Sequence, residues 1–174
     1  MFVPKRKPQV SFLHTLTAIA CLLAAGSAFA WPATVVRVLD GDTIIAINNN
    51  DGNRYRVRLA GIDAPEIGHG AGRAGQPYGR QAKTALSRYL DQQRVAVLPN
   101  GSRSYGRIVA TVTVNGRDVA HALVRNGLAW DYRDYDPREA YTADQRRARR
   151  GRRGLWAQSH PIPPWRWRHH YWTH

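Results

Sequence analysis

The stretch Leu39–Glu66, LDGDTIIAINNNDGNRYRVRLAGIDAPE, constrains the fold of this chain more than any other. Thr43–Ile47 is nearly all apolar, as in a strand covered on both faces. Arg54–Arg58 alternates, with Tyr55, Val57 and Leu59 on one face and Arg54, Arg56 and Arg58 on the other. The turn formers Asn48–Asn53 lie between, so the two runs read as a β-hairpin. With Gly52-Asn53 at the loop centre, Asp42 falls across from Asp63. Opposed like charges destabilise a ladder unless something neutralises them, and a cation would do so. The other reading is ordinary turn chemistry, because Asp-Gly and Asp-Ala-Pro are common turn sequences. Ile62 also looks like a core residue. The strand must therefore change phase near Ala60-Gly61, as at a β-bulge, which brings Asp63 to the side of Arg58.

An acidic cluster is conspicuous here because the 174-residue chain carries a net charge of +14. Such a surface attracts polyanions. After residue 30 the only lysine is Lys83, so arginine dominates, and arginine holds phosphate through planar, bidentate contacts. Lys5-Arg6-Lys7, the apolar run Leu16–Ala25 and Ala28-Phe29-Ala30 read as a secretory signal cleaved near Ala30. The run is short for a membrane span. A secreted or periplasmic protein is expected, with no stable membrane insertion after signal removal. Cys21, the only cysteine, lies inside the signal. The mature chain would then lack disulfides, thiol nucleophiles and thiolate ligands.

Elsewhere, Thr34–Leu39 suggests a first strand, and Pro65 ends the strand that holds Asp63. The Gly-rich loop Gly68–Gly75 lacks the P-loop order, and His69 stands alone within it. Gln76–Asp91 has helical spacing. Arg94–Leu98 reads as a short strand broken by Pro99–Ser102, and Tyr105–Val114 as another. Asn115-Gly116 makes a turn, Asp118 suits an N-cap, and Gly127 suits a helix C-terminus. Pro137 could open a last, basic helix running to Arg150. The class expected is α+β, mainly β: a five-stranded OB-fold barrel with about three helices. The division expected is signal 1–30, barrel domain 31–157 and tail 158–174. Pro161, Pro163 and Pro164 argue against a helix in the tail, which is expected to be a disordered basic extension rich in Trp and Arg.

The candidate chemistry follows from side-chain type. Asp42, Asp63 and a carbonyl near Ala64 could form an open, oxygen-only shell for Ca²⁺. Without a His pair or Cys, zinc is disfavoured. Glu66 is a candidate general base, or a salt-bridged surface glutamate. Arg58 and Arg107 are candidate phosphate clamps. Strand geometry favours Arg58, and the neighbouring Tyr105-Gly106 favours Arg107.

Several pieces together resemble the thermonuclease (staphylococcal nuclease-like) family. They are Val38–Thr43, Arg58–Glu66, Tyr78-Gly79, Tyr105-Gly106-Arg107, Ala122–Ala129 and Gly154-Leu155-Trp156. The resemblance covers Thr34–Trp156. It implies an OB barrel that uses Ca²⁺ to hydrolyse phosphodiesters of DNA and RNA to 3′-phosphorylated products. Single strands and frayed duplex would be the substrates, and the protein would be a monomer. By position, Asp42, Asp63 and the Ala64 carbonyl would hold the metal. Arg58, Glu66 and Arg107 would be catalytic, and Tyr105 would lie against the nucleotide. Asp40 looks more like a turn residue. Three positions depart from the family's habit: Ala64 for a frequent Thr, Arg103 for a frequent acid, and Arg147 for a frequent Glu. The competing classes are a non-catalytic OB-fold nucleic-acid-binding protein and a cationic, surface-active protein acting through its tail.

Overall fold

A computed structural model describes residues 29–70, 72–90, 93–132 and 138–172. The expected signal segment up to residue 28, and Pro137, lie outside the described residues. Among the described residues eight strands are formed: β1 (Trp31–Val38), β2 (Thr43–Asn48), β3 (Arg54–Leu59), β4 (Ile62–Asp63), β5 (Arg94–Ser104), β6 (Arg107–Val114), β7 (Arg117–Asp118) and β8 (Trp130–Asp131). Four α-helices accompany them: α1 (Gly79–Leu90), α2 (Val119–Arg125), α3 (Glu139–Arg150) and α4 (Pro164–Tyr171). A 3₁₀ turn at Gly154–Ala157 precedes α4.

The sheet runs β3-β2-β1-β5-β6-β7, and a parallel pairing of β3 with β6 closes it. The five long strands thus form the OB-type barrel expected, with no open edge between its ends. Its interior is filled by the inward parity of each strand: Ile44 and Ala46, Val57 and Leu59, Val95 and Val97, Ala110 and Val112, all buried. Helix α1 adds Ala82, Leu86 and Leu90, and α2 adds Leu123 and Val124, to the same core. Each large apolar side chain buried in this way contributes about 1.5–3 kcal/mol. With no cysteine after residue 30, this burial carries the stability.

Local signals explain the element ends. Asp118 is the N-cap of α2, its carboxylate accepting the Ala120 N–H at 2.9 Å. Tyr105 (φ 48°) and Gly106 (φ 75°) form the tight loop between β5 and β6. A two-residue hairpin loop with both φ positive matches the right-handed twist of the strands.

The β2–β3 register differs from expectation. Thr43 pairs with Arg58 and Ile47 with Arg54, so Asp42 lies across from Leu59 and not from Asp63. The physical reason is a wider loop. Asn48 Oδ1 accepts the Asn50 N–H and Asp51 Oδ1 accepts the Asn53 N–H, local bonds that keep this stretch out of the ladder. The phase change does occur where the sequence required it. Leu59, Ala60 and Ile62 are all buried, and Gly61 (φ 74°) makes the turn between β3 and β4. Asp63 then pairs with Trp130 of β8. The expected break at Pro99–Ser102 is instead an irregularity inside one long strand, with Pro99 opposite Ala110 and Arg103 opposite Ile108.

The tail also differs from a disordered extension. Pro164 is the first residue of α4, where its missing N–H costs nothing. Trp165 packs on Trp130 and Tyr132, with ring centroids 5.7 and 5.2 Å away. The Trp167 and Trp172 indole N–H groups both donate to the Ala74 carbonyl, at 3.0 and 3.1 Å. Prolines break a helix only in its interior. At a helix start they are compatible with the fold.

Close packing at Gly79 ties the first turn of α1 to the strand end. A Cβ there would come within 2.2 Å of the Glu66 carbonyl oxygen. Gly79→Ala should lower unfolding free energy by about 1–3 kcal/mol, the usual cost of overpacking, measured by urea denaturation.

Candidate active site

The bulge after β3 and the tight turn before β6 bring their ends to one cleft of about 690 Å³. Asp42, Arg58, Ala64, Glu66, Tyr105 and Arg107 all line it. Asp63 lies directly behind this wall, fully buried. The structure therefore brings together all seven residues singled out from the sequence.

Arg58 is the bridge. Its Nη1 donates to Asp42 Oδ1 at 2.6 Å, and its Nη2 donates to Asp63 Oδ1 at 2.9 Å and to the Ile62 carbonyl at 3.1 Å. The two aspartates meet through this guanidinium, not across a strand ladder. Asp42 also accepts the Thr43 hydroxyl at 2.9 Å and the Ala64 N–H at 2.9 Å. Burial alone would raise the Asp42 pKa. Arg58, the Ala64 N–H, Thr43 and Arg107 outweigh it and hold the group below the usual aspartate value. The reciprocal attraction, against burial, raises the Arg58 pKa and keeps it charged. Asp40 accepts the Asp42 N–H at 3.0 Å, a turn contact, and burial with Asp42 nearby pushes its pKa up to about 6.

Arg107 is anchored from the neighbouring strand. Its Nε donates to the Ser104 carbonyl at 3.0 Å, and its Nη1 reaches Thr43 Oγ1 at 3.2 Å. Burial and the nearby Arg58 lower its pKa. Tyr105 is 97% exposed, with its ring centroid 6.0 Å from the Arg107 guanidinium carbon. An exposed ring beside a cation offers a stacking surface for a base.

Glu66 follows Pro65 and is held by its own backbone, whose N–H donates to Gln76 Oε1 at 3.2 Å. Burial raises its pKa to about 7, against the opposing pull of Arg168 and with help from Asp42 and Asp63. Arg168 of α4 was not anticipated. It forms an ion pair with Glu66 Oε1 and holds both oxygens of Asp63, Nη2 to Oδ2 at 2.9 Å and Nη1 to Oδ1 at 3.2 Å. The sequence signal that would have found it is the start Pro163-Pro164 followed by a run without further prolines. Thr43 and Ser104 were also missed. They are short polar residues whose role is visible only once Arg107 lies above them.

Among the described residues no group of three or more His, Cys, Asp or Glu side chains forms a metal cage. The donor set is two buried carboxylates, oxygen only, each matched with positive charge. That chemistry fits a hard cation with open positions better than zinc. Ala64 is tied to this pair through its N–H.

Comparison with known proteins identifies the family. Residues 56–158 match the family described as staphylococcal nuclease homologue. The chain belongs to that family. It is 37% identical over 149 residues to an uncharacterized endonuclease of Escherichia coli, covering 81% of this chain and 92% of that protein. It is 36% identical over 177 residues to Protein ParB of Escherichia coli, covering 94% of each. A probable staphylococcal-like nuclease, CAN1, of Oryza sativa subsp. japonica is 38% identical over 115 residues, covering 66% of this chain. The chain spans only 33% of that plant protein's length.

Arg58→Ala would leave Asp42 and Asp63 without the cation they share. The expected loss is about 3–5 kcal/mol of unfolding free energy, the cost of breaking a buried pair, measured by urea denaturation. Arg58→Lys should recover only part of it, because one ammonium cannot reproduce a planar two-armed contact.

Proposed function

We propose that this protein is an exported, Ca²⁺-dependent nuclease that hydrolyses phosphodiester bonds of DNA and RNA, leaving 3′-phosphorylated products. The observation that carries the reading is the convergence of Asp42, Glu66, Arg58 and Arg107 in a single cleft, with Asp63 buried directly behind its wall, in a barrel of this family. Residues 1–30 direct export and are removed near Ala30. Single-stranded segments are the substrates, drawn to a chain that stays strongly basic: loss of Lys5, Arg6 and Lys7 takes the net charge from +14 to +11.

Asp42, Asp63 and the Ala64 carbonyl would hold the cation. When bound, Ca²⁺ supplies Lewis-acid polarisation of a phosphoryl oxygen. Glu66 accepts the proton of the attacking water at a carboxylate oxygen. Arg107, fixed by Ser104 and Thr43, donates to non-bridging phosphate oxygens as charge develops on them. Arg58 supplies positive charge at the base of the cleft while keeping the two aspartates together. Tyr105 stacks on a flanking base.

The test is cleavage of single-stranded DNA with Ca²⁺ and with chelator. Glu66→Gln and Arg107→Ala should each reduce kcat about 100-fold or more while leaving the circular dichroism spectrum unchanged. Normal turnover by Arg107→Ala would overturn its assignment. Nucleic-acid binding without metal-dependent cleavage would favour the non-catalytic OB-fold reading.

A further inference from the structure

We propose that Arg168 is a built-in competitor of the metal ion: α4 delivers a guanidinium onto the Asp63 carboxylate that the cation needs, so Arg168 and the cation occupy Asp63 in turn. The inference rests on the reading of Asp42 and Asp63 as metal ligands.

Both Asp63 oxygens are taken. Oδ1 accepts from Arg58 at 2.9 Å and from Arg168 at 3.2 Å, and Oδ2 accepts from Arg168 at 2.9 Å. Asp63 is fully buried, and Arg168, not Asp63, forms that part of the cleft wall. A cation can reach Asp63 only if one guanidinium withdraws. Arg58 is poorly suited to leave. It grows from a central barrel strand, its side chain is 13% exposed, and it is also held by Asp42 and the Ile62 carbonyl. Arg168 lies on a helix outside the barrel with its side chain 32% exposed, and its charge can return to water at lower cost.

The rest of α4 makes the competition effective. The Trp167 and Trp172 indoles are bonded to the Ala74 carbonyl, and the Ile162 carbonyl accepts from the Gln76 side-chain amide. These contacts are independent of Asp63 and keep Arg168 at high local concentration over it. The same guanidinium also pairs with Glu66. Withdrawal of one side chain therefore frees a metal ligand and the proposed base together. Helix α4 lies beyond residues 56–158 that match the family.

The test is Ca²⁺ binding to the full chain by calorimetry, for wild type, Arg168→Ala and Arg166→Ala. Arg166 is exposed on the same helix, and its replacement removes the same formal charge. Arg168→Ala should bind Ca²⁺ about tenfold more tightly or better, as expected when charge-assisted bonds no longer oppose binding. Arg166→Ala should stay close to wild type. Unchanged or weaker binding by Arg168→Ala, or equal tightening by both variants, would overturn the proposal. A second readout needs no variant: saturating Ca²⁺ should accelerate tryptic cleavage after Arg168 in the wild-type chain. Unaltered protection at that bond would also count against it. Cleavage of single-stranded DNA, assayed in parallel, separates the two readings. Tighter Ca²⁺ binding without cleavage would retire the nuclease and leave the competitor. Cleavage with unchanged affinity would do the reverse.

Discussion

The Arg58 guanidinium, placed between the buried carboxylates of Asp42 and Asp63, is the interaction on which the site depends. Two carboxylates removed from water repel each other and lose hydration. They can remain ionised only where compensating charge and hydrogen bonds are fixed in place. Here one planar side chain engages both, the Ala64 N–H and Arg168 satisfy the two oxygens that remain, and the Thr43 hydroxyl is a second donor to Asp42 Oδ1. The barrel makes this possible because β3 is paired on both sides, with β2 and with β6. Arg58 thus projects from a rigid backbone toward a loop that would otherwise have little reason to hold two acids together.

Much of this could be read from the residues. The alternation of Arg54–Leu59 placed Arg58 on the face away from the core. The crowding of Leu59, Ala60, Gly61 and Ile62 demanded a change of phase, and Gly61 supplies it with a positive φ. The barrel itself was legible in the order of five short strands with an inserted helix, and the alternation of Tyr55–Leu59 and Ile108–Val114 fits its single interior. The exact register of β2 on β3 was not legible. Six consecutive turn-forming residues allow several loop centres, and the choice among them rests on side-chain bonds of Asn48 and Asp51 that alternation does not encode. Because the observed register differs by an even number of residues, every side chain stayed on its expected face. The expected proximity of the aspartates therefore survived although its stated geometry did not.

The tail escaped for a different reason. Local propensity treats proline as a breaker, yet a proline at the first turn of a helix neither lacks a needed bond nor clashes with a preceding turn. What stabilises α4 is tertiary: two indole N–H groups on one carbonyl and Trp165 against Trp130 and Tyr132. Such contacts pair residues far apart in the chain, and nothing in the periodicity of eight residues announces them.

On the proposed exchange of Arg168 for a cation, these features would make the site an electrostatic switch in a strongly basic molecule. The chain's overall field repels any small cation, so only a concentrated negative charge can draw one in. Asp42 and Asp63 supply that charge, but at a density the folded state tolerates only with a resident cation. Arg58 is permanent because its backbone and its other partners are fixed. Arg168 is conditional because its attachment to the barrel is made elsewhere, through α4. A compact divalent ion brings greater charge to Asp63 than a delocalised guanidinium. The same proposed exchange would free Glu66 from its ion pair within the cleft, where a polyanionic substrate would meet Arg107 and, beside it, the released Arg168. The charge that guards the carboxylates in one state becomes additional attraction for phosphate in the other.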